Sequence, residues 1–180
     1  MNVQWASIAI TSCLALIGLL GTYLYNLRLA RRKDRLDLVT RQINEFYGPF
    51  YISTQAGKLG VAAFRKKLGQ KAVFADRTKP TPMELEEWKI WLPTVLMPIN
   101  EHREKLILSS AHLIRESEMP SCLLLFVAHV AAYRSVLRKW EQGDYSEFLS
   151  VIDFPAEIEA YASTSFIELK HEQARLLGNA

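Results

Sequence analysis

Only two cysteines, Cys13 and Cys122, occur in the 180 residues, which excludes a disulfide-stapled scaffold; a chain of this length buries a core without staples. No stretch of useful length alternates apolar and polar side chains, so a half-buried strand has no place to form. Internal repeats and low-complexity linkers are absent too, and nothing splits the chain into several globular parts. Walker and Rossmann glycine spacings and the G-x-S-x-G elbow are all missing, which removes the commonest nucleotide-binding and serine-hydrolase signatures. At 49% hydrophobic the chain is nonetheless too apolar to be a disordered tail.

The most telling absence is that of charge, because no Asp, Glu, Lys or Arg precedes Arg28. Trp5 to Leu27 would form a helix of about 34 Å, enough to cross a hydrocarbon layer of about 30 Å. A soluble core helix rarely needs 27 charge-free residues. A cleaved signal peptide needs a basic start and a small-residue cleavage site, whereas Met1 to Ser7 carries no basic side chain and the run ends in Tyr23, Tyr25 and Asn26. The pattern predicts a retained anchor over residues 1–27 and one helical domain over 28–180. Arg28, Arg31, Arg32, Lys33 and Arg35 follow the apolar run directly. The positive-inside rule then places the N-terminus outside and the domain in the cytoplasm. Trp5 and the pair Tyr23 and Tyr25 suit the two interfacial belts, and Cys122 would remain a reduced thiol in the cytosol. Ser7, Thr11, Ala15, Gly18 and Thr22, at spacings of 4, 4, 3 and 4, form a small-residue stripe. A second membrane helix, from another copy of the chain, could pack there.

Past the anchor the sequence reads as helices throughout. Leu36, Val39, Ile43, Phe46 and Phe50 recur at helical spacing, and Gly48-Pro49 is expected to turn the chain. A second helix is expected over Pro49–Leu68, with Ala56, Gly57, Gly60 and Ala63 as a patch for close approach. Its length matches the first stretch, so an antiparallel return would bring Arg65, Lys66, Lys67 and Lys71 back beside Arg28 at the membrane. Gln70 to Pro80 reads as a loop, and Thr81-Pro82-Met83-Glu84 as a capping box. Leu85, Trp88, Leu92, Val95, Ile99, Leu106 and Leu113 keep one helical phase through Pro93 and Pro98, which predicts one kinked helix or two nearly collinear ones. Ser121 to Gln142, apolar on nearly all sides and ended by Gly143, is expected to be the central helix. Asp144 and Glu147 suggest a second capping box and a short helix before Pro155. Ile158, Tyr161, Phe166, Leu169 and Leu176 mark a last helix over Pro155–Leu177, ended by Gly178. The fold expected is all-α, a single N-terminal transmembrane helix continuing into a cytoplasmic antiparallel helical bundle.

The histidines are the obvious candidates for catalytic chemistry. Glu168 and His171 have the E-x-x-H spacing of di-iron bundles, but those need a second copy and two further glutamates. His112 and Glu116 read as a surface pair one helical turn apart. His129, in FVAHVAAY, reads as a core histidine bonded to a carbonyl or a Tyr hydroxyl. Cys122 has no evident His and Asn/Asp setting for a nucleophile. No catalytic residue, metal ligand or cofactor is therefore expected.

Thr40 to Tyr51, TRQINEFYGPFY, after an anchor and a basic stretch, resembles a pattern in uncharacterised bacterial single-pass membrane proteins with a small helical cytoplasmic domain. The resemblance covers about the first third of the chain and implies a phage-defence setting; it brings no catalytic residues.

Charge is distributed unevenly. Residues 28–79 carry 13 Lys/Arg and 4 Asp/Glu, or +9, while residues 80–180 carry 9 and 15, or −6. Without a nucleic-acid motif or interleaved exposed aromatics, the simplest partner for the basic part is anionic lipid. The expected lipid-facing residues are Arg28, Arg31, Arg32, Lys33, Arg35, Arg65, Lys66, Lys67 and Lys71, with no nucleic acid bound. The leading reading is a non-enzymatic membrane-anchored adaptor or sensor that binds an as yet unidentified partner protein. The alternatives are an oligomerising membrane-perturbing effector of a phage-defence or toxin system and, third, a metal-dependent bundle enzyme.

Overall fold

The computed structural model of the chain describes residues 3–69, 74 and 79–178, with side chains from Ser12 onward. The elements are α1 (Val3–Gln42), a π-helical turn (Ile43–Tyr47), α2 (Gly48–Lys67), α3 (Pro82–Trp91), a second π turn (Leu92–Leu96), α4 (Met97–Ser109), a 3₁₀ turn (Ala111–Leu113), α5 (Ser121–Glu141) and α6 (Glu157–Leu177). Among the described residues there is no strand. The fold is all-α, with one long apolar N-terminal helix and the others forming a bundle. Contacts divide the chain into two units, Met1–Thr40 with Glu172–Ala180, and Arg41–His171.

In the first unit, every residue from Ser12 to Asn26 is exposed, so all faces of this part of α1 are bare. Further along, α1 grips the end of α6. Arg35 Nε lies 2.6 Å from Glu172 Oε1, Arg32 Nε donates to the Leu176 carbonyl at 2.8 Å, and Gln173 Nε2 donates to Thr40 Oγ1 at 3.1 Å. Leu176 lies in the last turn of α6, where carbonyls lack intrahelical partners. Arg32 satisfies one of them and places a cation at the negative end of the helix dipole.

The second unit is organised by two prolines. In an α-helix a proline removes one hydrogen bond and drives its ring against the carbonyl four residues back. Pro49 and Pro98 each stand two residues beyond a π turn, whose wider path gives the ring room. The residue before each proline bonds five residues back: Gly48 N–H to the Ile43 carbonyl and Met97 N–H to the Leu92 carbonyl. Gln42, Tyr47 and Gly48 all keep right-handed helical dihedrals. The chain therefore continues as helix through Gly48-Pro49, where a corner was expected.

The second π turn answers the question posed by Pro93 and Pro98, since the helix neither breaks nor simply kinks. It takes up one extra residue. Burial follows Trp88 and Leu92, then Leu96, Asn100, Arg103 and Ile107. The expected positions Val95, Ile99 and Leu106 are each displaced by one and only half-buried.

The capping box forms as expected. Thr81 Oγ1 accepts from Glu84 N–H at 3.3 Å, and Glu84 Oε2 accepts from Thr81 N–H at 2.7 Å. Of the anticipated loop, Gln70–Val73 and Ala75–Thr78 lie outside the described residues. Phe74 packs edge-on against Trp88 and Phe148, with centroids 5.5 and 5.4 Å away.

On α2 the close-approach face holds Gly57 and Gly60, whereas Ala56 and Ala63 face solvent. A Cβ at Gly57 would lie 3.0 Å from Arg103 Nη2, and one at Gly60 would lie 3.2 Å from Leu96 Cδ2. The contact thus reaches both α4 and the turn before it.

The expectation for α5 needs correction. Leu123, Phe126, His129, Val130, Tyr133 and Val136 are buried on one face, but Leu124 is 57% and Leu125 49% exposed on the other. It is a one-sided helix, clamped to α4 by the Arg134 guanidinium on the Glu104 carboxylate. The short helix expected after Asp144 does not form either. Asp144 Oδ1 accepts from Ser146 N–H at 2.9 Å, while side chains of other helices take carbonyls that a helix would use internally. Trp140 Nε1 donates to the Glu147 carbonyl at 2.8 Å and Trp88 Nε1 to the Phe148 carbonyl at 2.7 Å. Residues 142–156 consequently lie as a pinned loop.

Candidate functional site

The residues singled out by charge fall into different settings. Arg28, Arg31 and Lys33 are exposed on α1, whereas Arg32 and Arg35 are engaged by α6. Arg65, Lys66 and Lys67 occupy the last turn of α2, where cations complement the helix dipole, and Lys67 pairs with Glu87. Lys71 lies outside the described residues. In the stripe on α1, Ala15, Gly18 and Thr22 are exposed, and Thr22 Oγ1 donates to the Gly18 carbonyl at 2.9 Å. The side chains of Ser7 and Thr11 lie outside the described residues.

Each histidine candidate also has a definite place. Glu168 is held by Arg115 Nη1 at 2.8 Å, with His171 exposed nearby in sequence. Among the described residues no group of three or more His, Cys, Asp or Glu side chains is arranged to hold a metal ion. The His112–Glu116 pair does not form, because Ile114 is extended and breaks the helical spacing. Glu116 Oε2 instead accepts from Tyr161 Oη at 3.1 Å, and the Tyr47 and Tyr161 hydroxyls lie 3.2 Å apart. Tyr47 Oη also accepts from Arg115 N–H at 3.0 Å. Burial raises both phenols, so they stay protonated and tie the 114–116 segment to the bundle.

His129 is buried, and its Nδ1 lies 2.6 Å from the Ile152 carbonyl, to which it donates. This is the core histidine that the sequence suggests, and burial lowers its pKa, which keeps the ring neutral at neutral pH. Its position matters for another reason. His129 lines a cavity of about 450 Å³ bounded by α2, α3, the second π turn, α4, α5, the 142–156 loop and α6.

The wall of this cavity is mostly apolar and aromatic, with Trp88, Leu92, Leu96, Tyr133 and Phe154. Its other face is basic. Arg103 is only 3% exposed, bonds Asn100 Oδ1, and lies with its guanidinium carbon 4.5 Å from the Phe126 ring centroid and 5.8 Å from that of Phe154. Arg103 Nε has no hydrogen-bond partner, and among the described residues no carboxylate pairs with this guanidinium. Burial alone draws its pKa down to about 10, so it remains a cation at neutral pH. Gly57 makes the position possible by leaving room for Nη2. Lys58, paired with Glu159, and Arg65 also line the cavity.

This site was not legible from the apolar pattern. Asn100 and Glu104 lie off the helical phase drawn through Leu92, Val95 and Ile99, and the extra residue of the π turn brings them inward, whereas Arg103, four residues past Ile99, already flanks that phase and carries a charge that gives no hint of burial. The signal available was Pro98 itself, since a proline inside a long apolar helix calls for a local change of pitch. Compared with protein-family models, curated proteins and solved structures, the chain shows no match.

Proposed function

We propose that the protein is a single-pass membrane protein of the bacterial inner membrane, with its N-terminus outside and its helical domain in the cytoplasm, acting without catalysis as an adaptor or sensor. The observation that carries this reading is the bare surface of α1. Leu14, Leu16, Ile17, Leu19 and Leu20 are between 59% and 68% exposed on successive helix faces. At about 25 cal/mol per Å² of apolar surface, such a helix is costly in water and stable in hydrocarbon. Helix α5 offers the contrast. It is about as apolar, but its apolar residues are largely buried on one side by the protein.

Thr22 fits the lipid setting because its hydroxyl is satisfied by the Gly18 carbonyl within the same helix. Arg28, Arg31 and Lys33 stand where anionic head groups would lie. The bundle supplies surfaces and a cavity for recognition, which suits an interaction module, and the phage-defence setting implied by the resemblance belongs to the same proposal.

Cell fractionation tests the reading. The full chain should remain in the membrane pellet after alkaline carbonate washing and leave it only with detergent, while Leu16→Arg combined with Leu20→Arg should move most of it to the wash. Release of the unaltered chain by carbonate alone would refute the anchor.

A further inference from the structure

The cavity around Arg103 belongs to a different part of the molecule from the anchor, and its chemistry is the same whether or not α1 spans a membrane. A buried charge is normally matched by an opposite one, as the buried Glu104 carboxylate is matched by the half-exposed Arg134 on the neighbouring helix. Among the described residues, Arg103 receives only a neutral amide oxygen and two aromatic faces, and its Nε is left without an acceptor. The unmet demand is for negative charge. Beside it lies an apolar and aromatic space of about 450 Å³, toward the small end of ligand pockets and roomy enough for about fifteen water-sized groups.

We propose that this cavity is a binding site for a small amphipathic monoanion, a carboxylate carried on an aromatic or short aliphatic body. The carboxylate meets the Arg103 guanidinium, which suits carboxylates through its fork of parallel donors. The apolar body lies along Trp88, Leu96, Tyr133 and Phe154. A single buried positive charge selects a single negative one. Lys58 is already paired with Glu159, and this acidic partner in the lining disfavours a multiply charged ligand. His129, neutral and bonded to the loop through Ile152, couples occupancy to residues 142–156, which provide Leu149 and Phe154 to the wall.

Equilibrium dialysis of the full chain in mild detergent provides the test, with 3-phenylpropionate, its neutral amide and inorganic sulfate as probes. The acid should bind saturably, at least tenfold more tightly than the amide and than sulfate. Arg103→Met keeps the apolar stem and removes the charge, and it should weaken the acid at least tenfold while leaving the amide within a factor of about two. Ala62→Trp, on an exposed α2 position lining the cavity, should fill the space and abolish binding without touching Arg103. That second variant decides the matter if Arg103→Met does not fold. Equal affinity for acid and amide, sulfate binding as tight as the acid, no saturable binding at millimolar concentration, or full binding by Ala62→Trp would each overturn the proposal.

Discussion

Replacing Val130 by Asp should strongly destabilise the helical bundle, whereas Leu124→Asp, six residues earlier on the same helix, should leave it nearly intact. Val130 is fully buried on the inward face of α5. A carboxylate there must either stay ionised without a partner or remain protonated, and either outcome costs several kcal/mol on top of the lost packing. Domains of this size hold only about 5–15 kcal/mol in reserve. At about 2–4 °C per kcal/mol, a loss of about 4–5 kcal/mol lowers the melting temperature by about 10–15 °C or more. The defect should ease as pH falls toward 4, since burial raises the carboxyl pKa and protonation removes the unpaired charge. Leu124 is 57% exposed, so its replacement should change stability by no more than about 0.5 kcal/mol. Thermal unfolding of the two variants, followed by near-ultraviolet circular dichroism, separates a one-sided helix from one surrounded by protein.

Gly48→Ala should also destabilise the protein, reversing the usual sign of a glycine-to-alanine change inside a helix. In an ordinary α-helix the substitution gains up to about 1 kcal/mol. At Gly48 the new Cβ would stand 2.6 Å from the Ile43 carbonyl oxygen, the acceptor of Gly48's own N–H. That atom belongs to the backbone and cannot swing away. Either the π turn re-forms as an α turn, which forces the Pro49 ring against a carbonyl, or the hydrogen bond is lost. A cost of about 2–3 kcal/mol is expected from overpacking of this kind, and the melting temperature should fall by about 5–10 °C. Gly60→Ala is the control, because its Cβ would meet side-chain tips alone, Leu96 Cδ2 at 3.2 Å and Val95 Cγ1 at 3.6 Å, and it should be close to neutral.

Where local chemistry decides the structure, the sequence was a sound guide. Thr81 and Glu84 cap α3 because their side chains need only each other's backbone. His129 is a buried, carbonyl-bonded histidine because an imidazole amid FVAHVAAY must find an acceptor. The sequence misled where distant groups compete for the same backbone. The helix expected after Asp144 gave way to donors from Trp88, Trp140 and His129, none of them adjacent in sequence. Two local changes of pitch had the largest consequence. Apolar spacing assumes 3.6 residues per turn, and each π turn breaks that assumption once, removing the corner at Gly48-Pro49 and carrying Asn100 and Glu104 inward beside Arg103.

The anchored arrangement is tested most directly by thiol labelling in spheroplasts. In a background carrying Cys13→Ser and Cys122→Ala, single cysteines are placed by Asn2→Cys and by Glu118→Cys, the latter on the exposed segment after the 3₁₀ turn. A membrane-impermeant maleimide should label the cysteine at position 2 in intact spheroplasts and the one at position 118 only after detergent is added. Labelling of position 118 without detergent, with position 2 protected, would contradict the account.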